Sequence, residues 1–417
     1  MSARGKVKFY DFTKELGSIE WKGEKDVYFG RGSFKEKPPS IGDWVEFKLE
    51  NKQEKNKAIK VQLFTNMLPD DTWKLVKQEN INNFNLKLNK AARFENGKFK
   101  FFKTDNRGKV IYQIKPNFSE DMIKAISKRY YDSIQNLNLK LSESLTLKPD
   151  WRLIVGLGNE SIYETSMTLH HIYGFPYIPG SAIKGVTRNY YINDIYDRIR
   201  LNNVEQINII EKILENFKLE KDNNLEYKIF KSKFAILKYG QKVEPKETLF
   251  NYFSKNTAEI INFQNIFGTL GKIGKIIFFD AFPLEPPHIE PDIMNSHYNP
   301  YYSDTSEKVP PADYHNPNPI FFLTVKTTPF KFIIGIKEKD NIVIKGEEFE
   351  GKTSIEVAHE YMRKALSEHG IGAKTAVGYG YFEAVSKDYE IEHMTEKQKK
   401  EAKENKRTGK GKSYYHV

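Results

Sequence analysis

Apolar and polar positions alternate over residues 1–63 in five short bursts: Gly5–Tyr10, Gly17–Trp21, Asp26–Phe29, Trp44–Leu49 and Ala58–Gln62. Each burst is rich in β-branched and aromatic residues and is bounded by polar turn formers. That spacing predicts a small all-β barrel of the OB type. Residues 64–140 read as a connecting region, Lys- and Asn-rich from Lys87 to Lys103. Near its end the period changes: Ser119-Glu-Asp opens a helix whose apolar stripe is Met122, Ile123, Ile126, Tyr130, Ile134 and Leu137. The simplest use of that stripe is packing on the domain that follows.

Residues 141–385 mix both periods. A strand is predicted over Trp151–Gly156, then a helix starting at Ser181, then a helical insertion from about residue 195 to residue 265. Inside the insertion Ile209, Ile210, Ile213, Leu214 and Phe217 keep helical spacing. Further strands are predicted over Ile276–Asp280, Ile320–Lys326 and Phe330–Ile336. Thr353 and Glu356 make a capping box for a helix that stops at Gly370, and a last strand covers Gly380–Val385. With the insertion set aside this approximates βαββαβ, a ferredoxin-like order, with one strand too many in the middle. Residues 283–319 carry many prolines and tyrosines but no period, which predicts a long functional or partner-ordered loop. The fold class is therefore α+β, a ferredoxin-like domain preceded by a barrel. Residues 386–417 form a basic tail expected to be disordered, with eight Lys or Arg against Glu401 and Glu404 between 397 and 412.

Composition sharpens this in two ways. The net charge of +11 favours an anionic partner. The absence of cysteine excludes disulfides, thiolate zinc sites and cysteine nucleophiles. No apolar run is long enough to span a membrane and no signal-peptide core is present, so a soluble cytoplasmic protein is expected, without a membrane partner.

Two stretches have the character of anion sites. At Pro179-Gly180-Ser181 a tight turn meets a helix start, with Ser181 placed to cap it. The first-turn amides from Gly180 on, with Lys184 and Arg188 on one helix face, would meet phosphate. Downstream, the glycine-rich segment Gly370–Gly380 carries Gly370, Gly372, Lys374, Thr375, Gly378 and Tyr379, and glycine lets backbone approach phosphate where a Cβ would clash. It is not a P-loop: the required first glycine falls on Glu368, and the element follows a helix. Gly156-Leu-Gly158 fails as a dinucleotide fingerprint, because Ser161 takes the third glycine position and no helix follows. A tight turn accounts for it better.

These stretches resemble the RAMP superfamily of CRISPR effector proteins, whose domains are ferredoxin-like (RRM-like). Leu169–Gly180, Phe278–Pro283, Asp292–Tyr298, Pro310–Asp313 and Phe321–Val325 narrow the resemblance to the sixth-subunit family of type III-B (Cmr) complexes, over roughly residues 140–385. The resemblance implies a noncatalytic RNA-binding subunit in antiviral defence. It would bind CRISPR RNA toward its 3′ end, near target RNA, and cap the filament. Its neighbours would be the backbone RAMP subunit, the small helical subunit and the head RAMP subunit. Residues 1–63 resemble a cold-shock domain in Gly5–Lys8 and Ile41–Phe47. Two aromatic platforms of that family are replaced by Leu16 and Ser18, and Gly30 and Arg31 stand where His and Phe are usual. Phe9, Tyr28 and Arg31 remain as RNA-contact candidates.

Two rivals stay open. His170-His171 could serve acid–base RNA cleavage if at least one of them stood beside a scissile 2′-hydroxyl, with a second acid or base as partner. A packing or hydrogen-bonding role is the stronger reading. Alternatively, the barrel alone could act as an RNA chaperone. Asp280, Asp292 and Asp313 have no spacing that demands a cation, and His288, His297 and His315 lack metal-site spacing, so no metal or cofactor is expected.

Overall fold

The computed structural model describes residues 2–21, 26–34, 38–52, 55–63, 81–91, 93–95, 98–100, 102–104, 110–112, 116–218, 222, 225–296, 301, 310, 318–344, 349 and 351–385. The basic tail, Asp313, His297 and His315 lie outside these residues. The chain divides into two compact units, residues 1–115 with 161–164, and residues 116–160 with 165–417.

In the first unit β1 (Ser2–Asp11), β2 (Leu16–Glu20), β3 (Val27–Gly30), β4 (Trp44–Lys52) and β5 (Lys55–Leu63) close a barrel in the order β1-β2-β3-β5-β4. Alternation fills it: Val7, Ile19, Val27, Phe29, Val45, Phe47, Ala58 and Val61 point inward and are buried. Gly17 belongs to the inner face, where a Cβ would lie 2.5 Å from the Phe29 ring. Short pairs β6 (Arg93–Glu95) with β7 (Lys98–Lys100), and β8 (Phe102–Thr104) with β9 (Val110–Tyr112), follow.

The second unit opens with α1 (Glu120–Gln135), capped by Ser119, whose hydroxyl accepts from the Met122 amide at 3.4 Å. Its stripe is buried at Ile123, Ile126 and Ile134 against Phe175, Phe282 and Ile333, with Tyr131 buried beside them. Leu137, beyond the helix end, is exposed. Strands β10 (Lys140–Leu141) and β11 (Leu145–Pro149) come next, and the predicted strand Trp151–Gly156 shrinks to β12 (Arg152–Leu153). Helices α2 (Gly180–Arg198), α3 (Glu205–Asn216), α4 (Tyr227–Phe234), α5 (Glu247–Lys255) and α6 (Thr257–Phe267) follow, with hairpins β13 (Ile236–Lys238)–β14 (Gln241–Val243) and β15 (Gly268–Thr269)–β16 (Lys272–Ile273). The insertion's stripe, Ile209 to Phe217, is buried at all five positions.

The remaining strands are β17 (Ile277–Phe278), β18 (His288–Ser296), β19 (Asn318–Lys326), β20 (Phe330–Phe332), β21 (Ile334–Ile336) and β22 (Phe382–Ala384). β18 corrects the expectation of a loop from 283 onward. It is the edge strand of a sheet ordered β12-β19-β18, so Pro291 sits where no further ladder bond is needed. Two further three-stranded sheets are ordered β10-β21-β17 and β20-β11-β22. Between β21 and β22 runs α7 (Ser354–Lys364), entered through its capping box: the Thr353 amide donates to Glu356 Oε2 at 2.7 Å. Among the described residues no helix is long and apolar enough to cross a membrane.

Candidate nucleic-acid interface

The glycine-rich segment leaves the helical turn Ala365–His369 and is laid against β12 by its own backbone. Ile371 N donates to Gly380 O (2.8 Å), Ala373 N to Ile154 O (2.8 Å) and Gly380 N to Arg152 O (2.7 Å). Gly370, Gly372, Gly378 and Gly380 all have positive φ. An added Cβ would lie 2.2 Å from Ile154 O at Gly372 and 2.0 Å from Ile371 O at Gly380. Gly372 and Gly380 therefore have a packing reason to be glycine, beyond the helix end that accounts for Gly370. Gly378 is different, since a Cβ there would meet only Trp151 Cε3 at 3.9 Å.

Lys374 has φ +62, a left-handed conformation rarely adopted by a side-chain-bearing residue. Its ammonium stands 5.7 Å from the Phe322 ring centre and 5.9 Å from that of Tyr379. Thr375 follows, half-buried. Tyr379 departs from expectation: it is buried, its hydroxyl donates to Asp292 Oδ2 at 2.8 Å, and burial with that carboxylate pushes its pKa up to about 12. It supports the loop and presents no ring for a base.

Behind the loop lies Arg152, a hub the sequence hides inside an apolar run. Its guanidinium meets Glu290 (3.0 Å), Asp292 (3.3 Å) and Thr324 Oγ1 (2.9 Å). This ties β12, β18 and β19 together beneath Gly370–Gly380.

The helix start at Gly180 also differs from expectation. Pro179 is the N-cap, extended at φ −61 and ψ 138, and Ser181 lies exposed inside the helix. The capping carboxylate comes from far along the chain, as Asp280 Oδ1 accepts from Gly180 N at 2.7 Å. Ile178 and Ala281 exchange backbone bonds at 3.0 and 2.9 Å, which brings Asp280 there. They press Gly180 so close that a Cβ would lie 2.1 Å from Phe278 O. The positive end of the helix dipole is thus already faced by a carboxylate.

Lys184 is half-buried one turn on. Arg188 is committed within the protein, pairing with Glu211 (2.7 Å) and Glu215 (2.6 Å) of α3, its guanidinium 5.2 Å from the Phe263 ring centre. Lys184 and Arg188 do not act as one exposed basic face, because the second joins α2 to α3.

His170 is a packing residue. Its Nδ1 accepts from the amides of Ile172 and Tyr173, both at 3.3 Å, and its ring stacks on Tyr173 at 4.7 Å. Burial lowers its pKa below the ordinary value. Asp280 and Asp292 are spent on Gly180 and on Arg152 with Tyr379. Among the described residues no three of His, Asp and Glu gather as a metal site.

On the barrel, Phe9, Ser18 and Tyr28 form one cross-strand row. Phe9 and Tyr28 are exposed while Ser18 is buried. Arg31 pairs with Glu15 at 3.2 Å and stays largely in solvent. Phe12 and Trp44, which the sequence reading did not single out, are exposed as well.

A unit of mixed strands and helices, bounded by the paired strands β11 and β22 and carrying a glycine-rich loop, coincides with a known class. The RAMP superfamily profile matches residues 147–383, and the chain belongs to that superfamily. Within it, the similarity is to the CRISPR system Cmr subunit Cmr6 of Pyrococcus furiosus, 38% identical over 274 residues, which are 61% of this chain and 71% of the relative. The crystal structure of Cmr6 from Pyrococcus furiosus is 33% identical over 60% of this chain and 100% of that one, with a TM-score of 0.35. A chain of the cryo-EM structure of the type III-B Cmr-beta bound to cognate target RNA is 21% identical, covering 66% of this chain and 69% of that one, with a TM-score of 0.38.

Proposed function

We propose that this chain is a noncatalytic RNA-binding subunit of a type III-B CRISPR effector complex. It holds CRISPR RNA toward the 3′ end and caps the filament beside the backbone RAMP, small helical and head RAMP subunits, in the cytoplasm. The observation that carries the reading is kinship with Cmr6 in the same unit that bears Lys374 on a backbone-braced glycine loop. Lys374, Thr375 and the loop amides contact the guide backbone, and Lys184 with Ser181 adds a second phosphate contact. Arg188, Tyr379 and the glycines packed on Ile154 and Ile371 hold the frame. A ferredoxin-like domain suits this role. The pairings β22–β11, β11–β20, β10–β21 and β21–β17 follow the sequence last, first, third, second, with α2 and α7 as the two crossovers. β19, paired instead with β12 and β18, is then the surplus strand. The barrel, read as an OB-type cold-shock-like domain, offers Phe9, Tyr28 and Arg31 to single-stranded RNA. Against cleavage stands His170, whose Nδ1 is occupied and whose charged form is disfavoured.

The test is copurification of the full chain with its native neighbours, sequencing the RNA that accompanies it. CRISPR RNA is expected with wild type and lost with Lys184→Glu/Lys374→Glu. In direct binding, each single Lys→Ala change should make the negative slope of log K against log salt shallower by about 0.7. Unchanged RNA recovery and slope in the double variant would sink the reading. Mixed cellular RNA, lost only on deleting residues 1–63, would move the function to the barrel.

A further inference from the structure

Where β11 turns into β12, the chain exposes a large ring on a rigid backing. Trp151 is 45% exposed. Its inner side rests on Tyr379, the ring centres 4.7 Å apart at 52°. Tyr379 is fixed by its bond to Asp292 and by Phe322 at 5.9 Å. Trp151's own amide donates to Asp150 Oδ1 at 2.6 Å, which sets the turn that presents the indole. The loop leaves it room, because Gly378 has no side chain to cover it.

The charges around this ledge select its occupant. Asp292 is spent on Arg152 and Tyr379. Glu290 is met by Arg152 and by Lys326 at 3.7 Å, and Asp150 by the Trp151 amide. Lys374 lies beside the same Tyr379 ring. An apolar π-face, a cation, and Glu290 and Asp292 each paired with Arg152 suit a nucleotide.

We infer that Trp151 is a base-stacking platform: one unpaired base of the bound RNA covers the exposed indole while a neighbouring phosphate meets Lys374. This rests on the RNA-binding reading of the loop. Every base has a π-face, so the contact favours an unpaired nucleotide at this point without choosing its identity.

The experiment titrates full-length protein with a single-stranded RNA series in which 2-aminopurine replaces one base at a time. For wild type, one position should show strong stacking quench. Trp151→Leu, which keeps apolar bulk against Tyr379, should abolish that quench and weaken binding about 5- to 150-fold. Trp151→Phe should restore much of both, and equal melting temperatures would show the variants folded. Failure of wild type to bind RNA, or indifference to Lys374→Glu, overturns the loop reading and this inference with it. RNA binding that is sensitive to Lys374→Glu but identical in Trp151→Leu overturns the stacking inference alone. So does a Trp151→Leu chain that binds RNA normally but no longer copurifies with protein neighbours, which would make the indole a protein contact.

Discussion

Alanine at Gly372 and at Gly378 separates packing from function within one loop. Both positions have similar left-handed backbone, φ +96 and φ +92. Putting an L-residue there costs about 1–2 kcal/mol, offset by about 0.4–1 kcal/mol from the less flexible unfolded chain. Gly378→Ala adds nothing further, since its Cβ finds only Trp151 at 3.9 Å. It should cost about 1 kcal/mol. Gly372→Ala places its Cβ 2.2 Å from Ile154 O, a backbone atom that can retreat only by breaking its bond from Ala373 N. Overpacking of that kind adds about 1–3 kcal/mol, giving about 2–4 kcal/mol in all. For a unit of this size each kcal/mol moves Tm by about 2–4 °C. Calorimetry of the full chain should therefore show a drop of about 4–16 °C for Gly372→Ala and about 2–4 °C for Gly378→Ala. Equal drops would refute the view that the loop is pinned by contact with Ile154. If Gly378→Ala instead loses far more RNA affinity than stability, the open space above it is used by ligand.

Arg188→Ala leaves Glu211 and Glu215 facing each other without their shared cation, and should lower stability by roughly 1–2 kcal/mol in urea unfolding while leaving the salt slope of RNA binding unchanged. A fall in that slope would return Arg188 to the RNA. Asp280→Ala removes the carboxylate that caps α2 and should cost about 0.5–2 kcal/mol, and Asp280→Asn less. No loss in either would mean that the cap is dispensable. His170 and His359 both have pKa values lowered by burial from the ordinary 6.5. The unfolded chain then binds more protons than the folded one once pH drops below 6.5, so stability is full above that value and declines as pH falls toward the folded-state values. His170→Phe should flatten part of the decline in urea midpoints between neutral and mildly acid pH, and an unaltered profile would exclude His170 as its source.

How much of this was legible in the chain depends on how far apart the interacting residues lie. The barrel strands, the Ser119 cap, the Thr353–Glu356 box and the insertion's isoleucine stripe are local signals, and all appear in the structure within a few residues. The strand at Leu145–Pro149 was not read, because five residues ending in proline give too little alternation to register. β18 was hidden for a related reason. Proline argues against a strand in general, and only the knowledge that β18 lies at a sheet edge, with Pro291 opposite Leu323, removes the objection.

The candidate site shows the same limit more sharply. Segments where charge and glycine coincide are visible in the sequence, but the partners each group already has are not. Arg188 finds its carboxylates on another helix, Gly180 finds Asp280 a hundred residues away, and Tyr379 finds Asp292 across two strands. In each case a side chain or amide that looks available for phosphate is satisfied internally, at a distance no motif encodes. The reverse holds for Trp151, which looks in the sequence like the first residue of a core strand and emerges 45% exposed, with the Arg152 guanidinium 5.8 Å from its ring centre and Tyr379 at 4.7 Å. Availability is a tertiary property. A basic or aromatic residue stays a binding candidate only when the fold neither ion-pairs nor buries it, and by that criterion the candidate interface shifts from Arg188 and Tyr379 toward Lys374 and Trp151.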